Sequence, residues 1–364
     1  MDGLKVKVNV NDIIDIYEKE VSVNTKNKSK VYNFEKNKIE NIYDIKNIIE
    51  SDNYKITKYN VFTINNPKYR MVMSLNMKDK IINHYVARFI LLPKLNKYLD
   101  IRNCATRKNM GYDYAIKLLK RYIECNKKYG KFYILKIDIS KYFYSIDHNI
   151  LKELLKDKLN EEEYKIVSRI IDSTNESYIN KIIINIKNNL LIKDKNRCNE
   201  INKLPLYEYN KGLPIGNMTS QILSIFYLYK LDHYIIHNLN LKYMVRYMDD
   251  YIIISNDKNK LKKALKEIEY ILNKKYKLNI NKNNGRFGML IVSGIIVWVI
   301  CELPFIGRIV SFVIAVLGLG ILVSAILPKK SCKKNKDQKV SDSSSKEEVI
   351  EITSETKNDD KEEK

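Results

Sequence analysis

Lys242-Tyr-Met-Val-Arg-Tyr-Met-Asp-Asp-Tyr-Ile-Ile-Ile-Ser255 is the stretch on which the fold turns. Two short β-rich runs, Tyr243–Tyr247 and Tyr251–Ser255, flank Met248–Asp250, so the segment predicts an antiparallel hairpin. It holds no Asn-Gly or Asp-Gly pair, so the local sequence does not dictate the turn by itself. Adjacent carboxylates, Asp249 and Asp250, are costly to bury in an apolar, aromatic run without compensation. Side chains alternate faces along a strand, so a turn is the way to bring both to one site. Divalent cations with oxygen ligands relieve the repulsion.

Working outward, residues 131–147 read KFYILKIDISKYFYSID. Tyr133, Leu135 and Ile137 alternate with Ile134, Lys136 and Asp138, which predicts a strand ending at or near Asp138. Asp147 then caps a helix whose face is Ile150, Leu151, Leu154 and Leu155. After the hairpin, Leu261, Ala264, Leu265, Ile268, Ile271 and Leu272 mark an amphipathic helix. Asp138, ending an apolar strand, is the natural third carboxylate. Two metal ions about 3.5–4 Å apart, clamping attacking and leaving oxygens, are the geometry of nucleotidyl transfer. Spacing alone also allows a plainer outcome, with Asp249 and Asp250 as turn residues and Asp138 as a strand terminator.

The 364 residues amount to about two or three domains. Hydrophobic residues at 45% against 30% charged require a packed core for most of the chain. The tail 329–364 is neutral and 285–328 carries net +1, so +21 of the +22 formal charge lies in residues 1–284. Such an excess calls for a polyanionic partner, nucleic acid or anionic lipid. The cysteines Cys104, Cys125, Cys198, Cys301 and Cys332 form no CxxC pair, which argues against a zinc site or a disulfide scaffold and fits a reducing compartment. The N-terminus lacks an apolar signal core. Phe287–Cys301 and Ile309–Leu327 are apolar runs joined by a turn with Pro304 and Gly307, and lysines follow the second run. They predict a membrane hairpin with both flanks on the cytoplasmic side.

Taken in order, the boxes resemble reverse transcriptases. Tyr247-Met248-Asp249-Asp250 resembles the family's catalytic box, and Asp138-Ile-Ser-Lys-Tyr-Phe143 its first carboxylate motif. Gly212-Leu-Pro-Ile-Gly-Asn-Met-Thr-Ser-Gln221 resembles the loop–helix motif between them. Upstream, Pro67-Lys68-Tyr69-Arg70 and Met77–His84 resemble the fingers of bacterial enzymes, and Ala105-Thr106-Arg107-Lys108-Asn109 resembles the motif before the palm. The Ile-Gly-Asn-Met-Thr-Ser-Gln form is similar to enzymes of the diversity-generating-retroelement type.

The resemblance implies RNA-templated DNA synthesis with two Mg2+ ions, Asp138 and Asp249 binding both and Asp250 completing the acidic cluster. It implies Phe143 as the gate against a ribose 2′-hydroxyl, Arg70 and Lys80 as partners of the triphosphate, and Gly216 and Gln221 as packing under the templating base pair. Lys282 matches a lysine that donates a proton to pyrophosphate. Ile215 stands where the family has a glutamine that helps hold the incoming nucleotide, which implies looser base selection. The partners implied are an RNA template, a DNA or other primer and deoxynucleotides.

The expected architecture is therefore α+β: an N-terminal region and fingers (1–130), then a palm with a small antiparallel sheet (131–284). A transmembrane hairpin (285–328), with membrane lipid as its partner through residues 287–327, and a disordered polar tail (329–364) follow. After Lys282 neither the family's primer grip nor its thumb is evident, which implies low processivity unless a protein partner supplies a clamp. The expected setting is a cytoplasmic catalytic body anchored to a bacterial inner membrane. The competing expectation is an inactive reverse-transcriptase-like membrane protein that only binds RNA.

Overall fold

The computed structural model describes residues 7–51 and 53–281. Lys282, the apolar runs 287–301 and 309–327 and the polar tail lie outside the described residues. Among the described residues no helix is long and apolar enough to cross a membrane.

Three helices open the described chain: α1 (Val10–Ile16), α2 (Lys28–Glu35) and α3 (Lys38–Glu50). Asn9 and Asn27 cap the first two through their side chains, supplying acceptors for otherwise orphaned N–H groups. Ile42, Ile45 and Ile49 recur at helical spacing on α3 and are buried. Strands β1 (Asn60–Ile64) and β2 (Arg70–Ser74) form an antiparallel hairpin. Helix α4 (Met77–Tyr85) follows, with Asn76 as its cap. Asp79, inside the motif that resembles the fingers, is a structural acid: it is 3% exposed and accepts from Tyr54 Oη, the Thr57 N–H and Asn76 Nδ2.

Helix α5 (Tyr112–Lys127) leads into β3 (Tyr133–Asp138), so the predicted strand and its end are both present. The chain then forms α6 (His148–Leu155), α7 (Glu161–Asp172), α8 (Ser177–Lys193), α9 (Met218–Tyr227) and α10 (Tyr229–His233). Asp147 caps α6 as its sequence predicts, accepting from the N–H groups of Asn149 and Ile150 at 3.0 and 3.1 Å. A reciprocal Asn160–Glu163 capping box starts α7. Helix α9 is buried almost all round, which marks it as a central core element. Each of Ile222, Leu223, Ile225 and Phe226 contributes about 1.5–3 kcal/mol by leaving water.

The hairpin read from the sequence is β4 (Met244–Tyr247) and β5 (Asp250–Ser255), closed by Met248 and Asp249. Asp250 already belongs to β5 and pairs with Tyr247, so the turn is one residue tighter than the sequence alone suggested. With β3 these strands make an antiparallel sheet in the order β3–β5–β4. Period-2 alternation covers both faces. Tyr133, Leu135, Ile137, Met244, Tyr251 and Ile253 join the main core, where α11 (Lys258–Tyr276) also packs through Leu261, Ala264, Ile268 and Leu272. Ile134 and Ile254 face the other way, onto Ile123 of α5. The last described residues run beside the start of the 138–140 segment. Ser140 N–H donates to the Asn279 carbonyl at 2.9 Å, and Asn281 N–H donates to the Asp138 carbonyl at 2.8 Å.

Candidate active site

Register sets Asp138 of β3 directly opposite Asp250 of β5. Opposed residues of an antiparallel pair share a face, about 4.5–5.5 Å apart at Cβ, and like charges there repel. Asp249 follows from the turn. Its carboxyl is pushed up to about 6, first by burial, then by Asp250 and Asp138, while Arg70 acts the other way. Burial also raises the Asp250 carboxyl; Lys136, 3.8 Å away, opposes that rise and Asp138 adds to it. The three acids therefore feel one another at one end of the sheet. Asn281 orients the first of them, donating from Nδ2 to Asp138 Oδ2 at 3.0 Å.

Among the described residues no group of three or more His, Cys, Asp or Glu side chains is gathered so as to hold a metal ion. Magnesium does not need one, since it keeps waters and typically takes one or two carboxylates plus substrate phosphates. Three carboxylates, two of them with pKa raised in part by their acidic neighbours, suit an ion of that kind in chemistry, each offering oxygen donors.

The β1–β2 hairpin reaches this end of the sheet through the loop before α9. Met73 N–H donates to the Ile215 carbonyl at 2.8 Å, stitching β2 to the loop. Gly216 has φ +113°, a conformation that L side chains rarely adopt, and a Cβ there would meet Val72 Cγ1 at 3.0 Å and the Met73 carbonyl at 3.1 Å. Arg70, at the start of β2, is exposed and has no ion-pair partner among the described residues, and it bears on Asp249 electrostatically. We expect Gly216→Ala to lower unfolding stability by about 1–2 kcal/mol, from backbone strain and crowding of β2. Urea denaturation checks this; a variant matching the parent would show that the loop does not need the hairpin so close.

The other expected residues are placed less centrally. Phe143 is half-buried; its carbonyl accepts from the Leu213 N–H at 2.7 Å and its ring meets Tyr142 edge-on. Gln221 is half-buried in the first turn of α9, its N–H bonded to the Asn217 carbonyl. Lys80 turns toward the N-terminal segment, donating to Thr25 Oγ1 at 3.1 Å. Burial, and then Lys30, hold its ammonium below the ordinary lysine value. Lys282, the expected pyrophosphate partner, lies outside the described residues. His84, His148 and His233 are structural, bonded to Glu20, the Gly212 carbonyl and the Tyr98 carbonyl.

Four residues escaped the sequence reading: Lys136 and Asn281 at the acids, and the buried pair Arg246 and Asp232 behind the turn. Arg246 and Asp232 are both 0% exposed, and Arg246 Nη2 lies 2.8 Å from Asp232 Oδ2. Arg246 had a readable signal, since it alternates in phase with Met244 and so points inward on β4.

Residues 56–289 match the family of reverse transcriptases (RNA-dependent DNA polymerases). No curated protein matches the chain. Among solved structures, an apo telomerase of Candida tropicalis, truncated from its C-terminal domain, is similar at 15% identity over 63% of this chain and 49% of that one, with a TM-score of 0.43. A telomerase of Candida albicans in complex with the TWJ fragment of telomeric RNA is similar at 14% identity over 64% of this chain and 43% of that one, with a TM-score of 0.40. The chain thus spans about half the length, or less, of these solved telomerases. The family match covers well over half of the 364 residues and includes the β1–β2 hairpin, the Gly216 loop and all three acids, so the chain belongs to the reverse transcriptase family.

Proposed function

We propose that the chain copies RNA into DNA by nucleotidyl transfer, with Asp138, Asp249 and Asp250 as its metal-binding acids. The observation that carries this reading is the arrival of three carboxylates, from two strands and their turn, at one end of the sheet with Arg70 bearing on Asp249. Asp138 and Asp249 would hold two Mg2+ ions, with Asp250 completing the cluster. When bound, the ions neutralise charge on the phosphoryl group and favour ionisation of the primer 3′-hydroxyl. Arg70, an exposed guanidinium without an ion-pair partner among the described residues, suits the polyphosphate of the incoming deoxynucleotide. The 3′-oxygen bonds to the α-phosphorus, the bond to the β-phosphate oxygen breaks, and pyrophosphate leaves. Asn281 keeps the Asp138 carboxylate turned for its task, and the Gly216 loop fixes the fingers hairpin beside the acids. The test is incorporation of labelled deoxynucleotide on an RNA template with an annealed primer and Mg2+. Retained RNA binding without incorporation would favour a protein that only holds RNA.

Two side chains then set selectivity. Phe143→Ala is expected to relax exclusion of ribonucleotides, raising their relative kcat/KM by about 10–100-fold. Single-nucleotide incorporation kinetics with paired ribo- and deoxynucleotides measure it, and an unchanged ratio would remove Phe143 from the gate. Ile215→Gln restores a polar contact and should lower misincorporation by about 5-fold, the worth of one net hydrogen bond. Sequencing of products checks this.

From the apolar runs at 287–327 we propose that this catalytic body is tethered at the cytoplasmic face of a membrane. The full chain staying in the soluble fraction without detergent would count against the tether.

A further inference from the structure

Arg246 heads the largest fully buried side chains of the described protein. A guanidinium without water must have its donors met inside. Nε and Nη2 donate to Asp232 Oδ2 at 3.0 and 2.8 Å, Nη2 also donates to the Ile225 carbonyl, and Nη1 donates to the Met248 carbonyl at 3.0 Å. Asp232, equally buried on α10, takes the Tyr251 hydroxyl on its other oxygen at 2.8 Å. The Arg246 main chain is fixed as well, its N–H donating to the Arg102 carbonyl and its carbonyl accepting from the Cys104 N–H.

The residue at the end of this network is unusual. Met248 has φ +57° without being glycine. Its carbonyl belongs to the peptide that leads into Asp249, in a turn of only two residues, so fixing that peptide plane fixes the direction in which the Asp249 side chain leaves. Ser224 Oγ lies 3.6 Å from Met248 Sδ on another side, and the Tyr142 hydroxyl holds the Ser224 carbonyl at 2.6 Å. Stability alone does not require such a network, because a buried ion pair exchanged for apolar groups of similar volume is often neutral or stabilising.

We infer that Arg246 is a positioning residue: anchored by Asp232, it holds the strained Met248 peptide so that Asp249 meets Asp138 and Asp250 as a cation-binding group. This rests on the metal-binding reading of those acids.

The test uses the full chain and Mn2+ alone as the probe, followed by electron paramagnetic resonance, with Asp249→Ala as the baseline. The variant Arg246→Met/Asp232→Leu/Tyr251→Phe removes the donor to Met248 without orphaning a buried charge. It should melt cooperatively near the parent, yet bind Mn2+ about 10–100-fold more weakly and lose kcat by a similar factor with little change in the deoxynucleotide KM. Should the triple variant not fold, Arg246→Lys carries the test, because one ammonium opposite Asp232 cannot also span to the Met248 carbonyl, and the same losses are expected. Mn2+ affinity and kcat equal to the parent's in a folded variant would overturn the positioning role and leave the metal site standing. A parent that binds no more Mn2+ than Asp249→Ala would overturn the metal reading, and the positioning role with it.

Discussion

Asp249→Ala is expected to lower deoxynucleotide incorporation on an RNA template by about 10³-fold or more, while RNA binding persists. The Asp249 carboxyl is pushed up to about 6, by burial first and then by Asp250 and Asp138. If Asp249 has the proposed metal-binding role, its loss would remove about 4 kcal/mol of stabilisation from the transferring phosphoryl group. In the proposed reading, RNA binding would rest on the basic charge instead, since +21 of the formal charge lies in residues 1–284. Primer extension and filter binding on the same preparation separate the two, and equal incorporation by variant and parent would refute the role of Asp249.

The same acid weakens the fold. Its carboxyl, raised to about 6, holds a proton in the folded state that the unfolded chain has already released above about pH 4. Stability contributed at Asp249 therefore falls as pH rises from about 4 to about 6 and stays low above that. Asp249→Asn should then be more stable than the parent at pH 8 in metal-free buffer, by about 1–2 kcal/mol after allowing for solvent screening. The difference should close below about pH 4. A variant less stable than the parent at pH 8 would contradict the burial and like-charge crowding that raise this carboxyl.

Arg246→Ala is expected to be the most destabilising single change in the β3–β5–β4 sheet. It strands the buried Asp232 carboxylate and leaves the Ile225 and Met248 carbonyls without their donor. Breaking a buried pair from one side costs about 3–5 kcal/mol. For a protein of this size that corresponds to a fall in melting temperature of about 10 °C. A double-mutant cycle with Asp232→Ala should show strong coupling, since the second loss removes the stranded charge. Melting unchanged from the parent would mean that water reaches the site and that the pair is not sealed. The contrast with the apolar triple variant separates the need for partnered charge from the need for the turn's anchor.

The sequence made short-range features readable. Alternation gave β3 and its end at Asp138, and the Asp147 cap with its apolar face gave α6. The hairpin was readable from two β-rich runs, but the tightness of its turn was not, because Met248 is not a residue whose local chemistry demands positive φ. Asp138, Asp249 and Asp250 were legible as a set because adjacent acids in apolar runs need a reason. Lys80 was legible as a cation, yet its neighbours, Thr25 and Lys30, were not.

By itself the sequence determined strands β3, β4 and β5, helices α6 and α11, and which acids end or interrupt them, because those follow from side-chain periods of two and about 3.6 residues and from capping within a turn. Only the tertiary structure decided that Asp138 faces Asp250, that Asn281 orients Asp138 from 143 residues away, and that the inward-pointing Arg246 finds Asp232. Such partners are set by the path of the whole chain through its core, and a buried charge shows its purpose only when the group that neutralises it is in place.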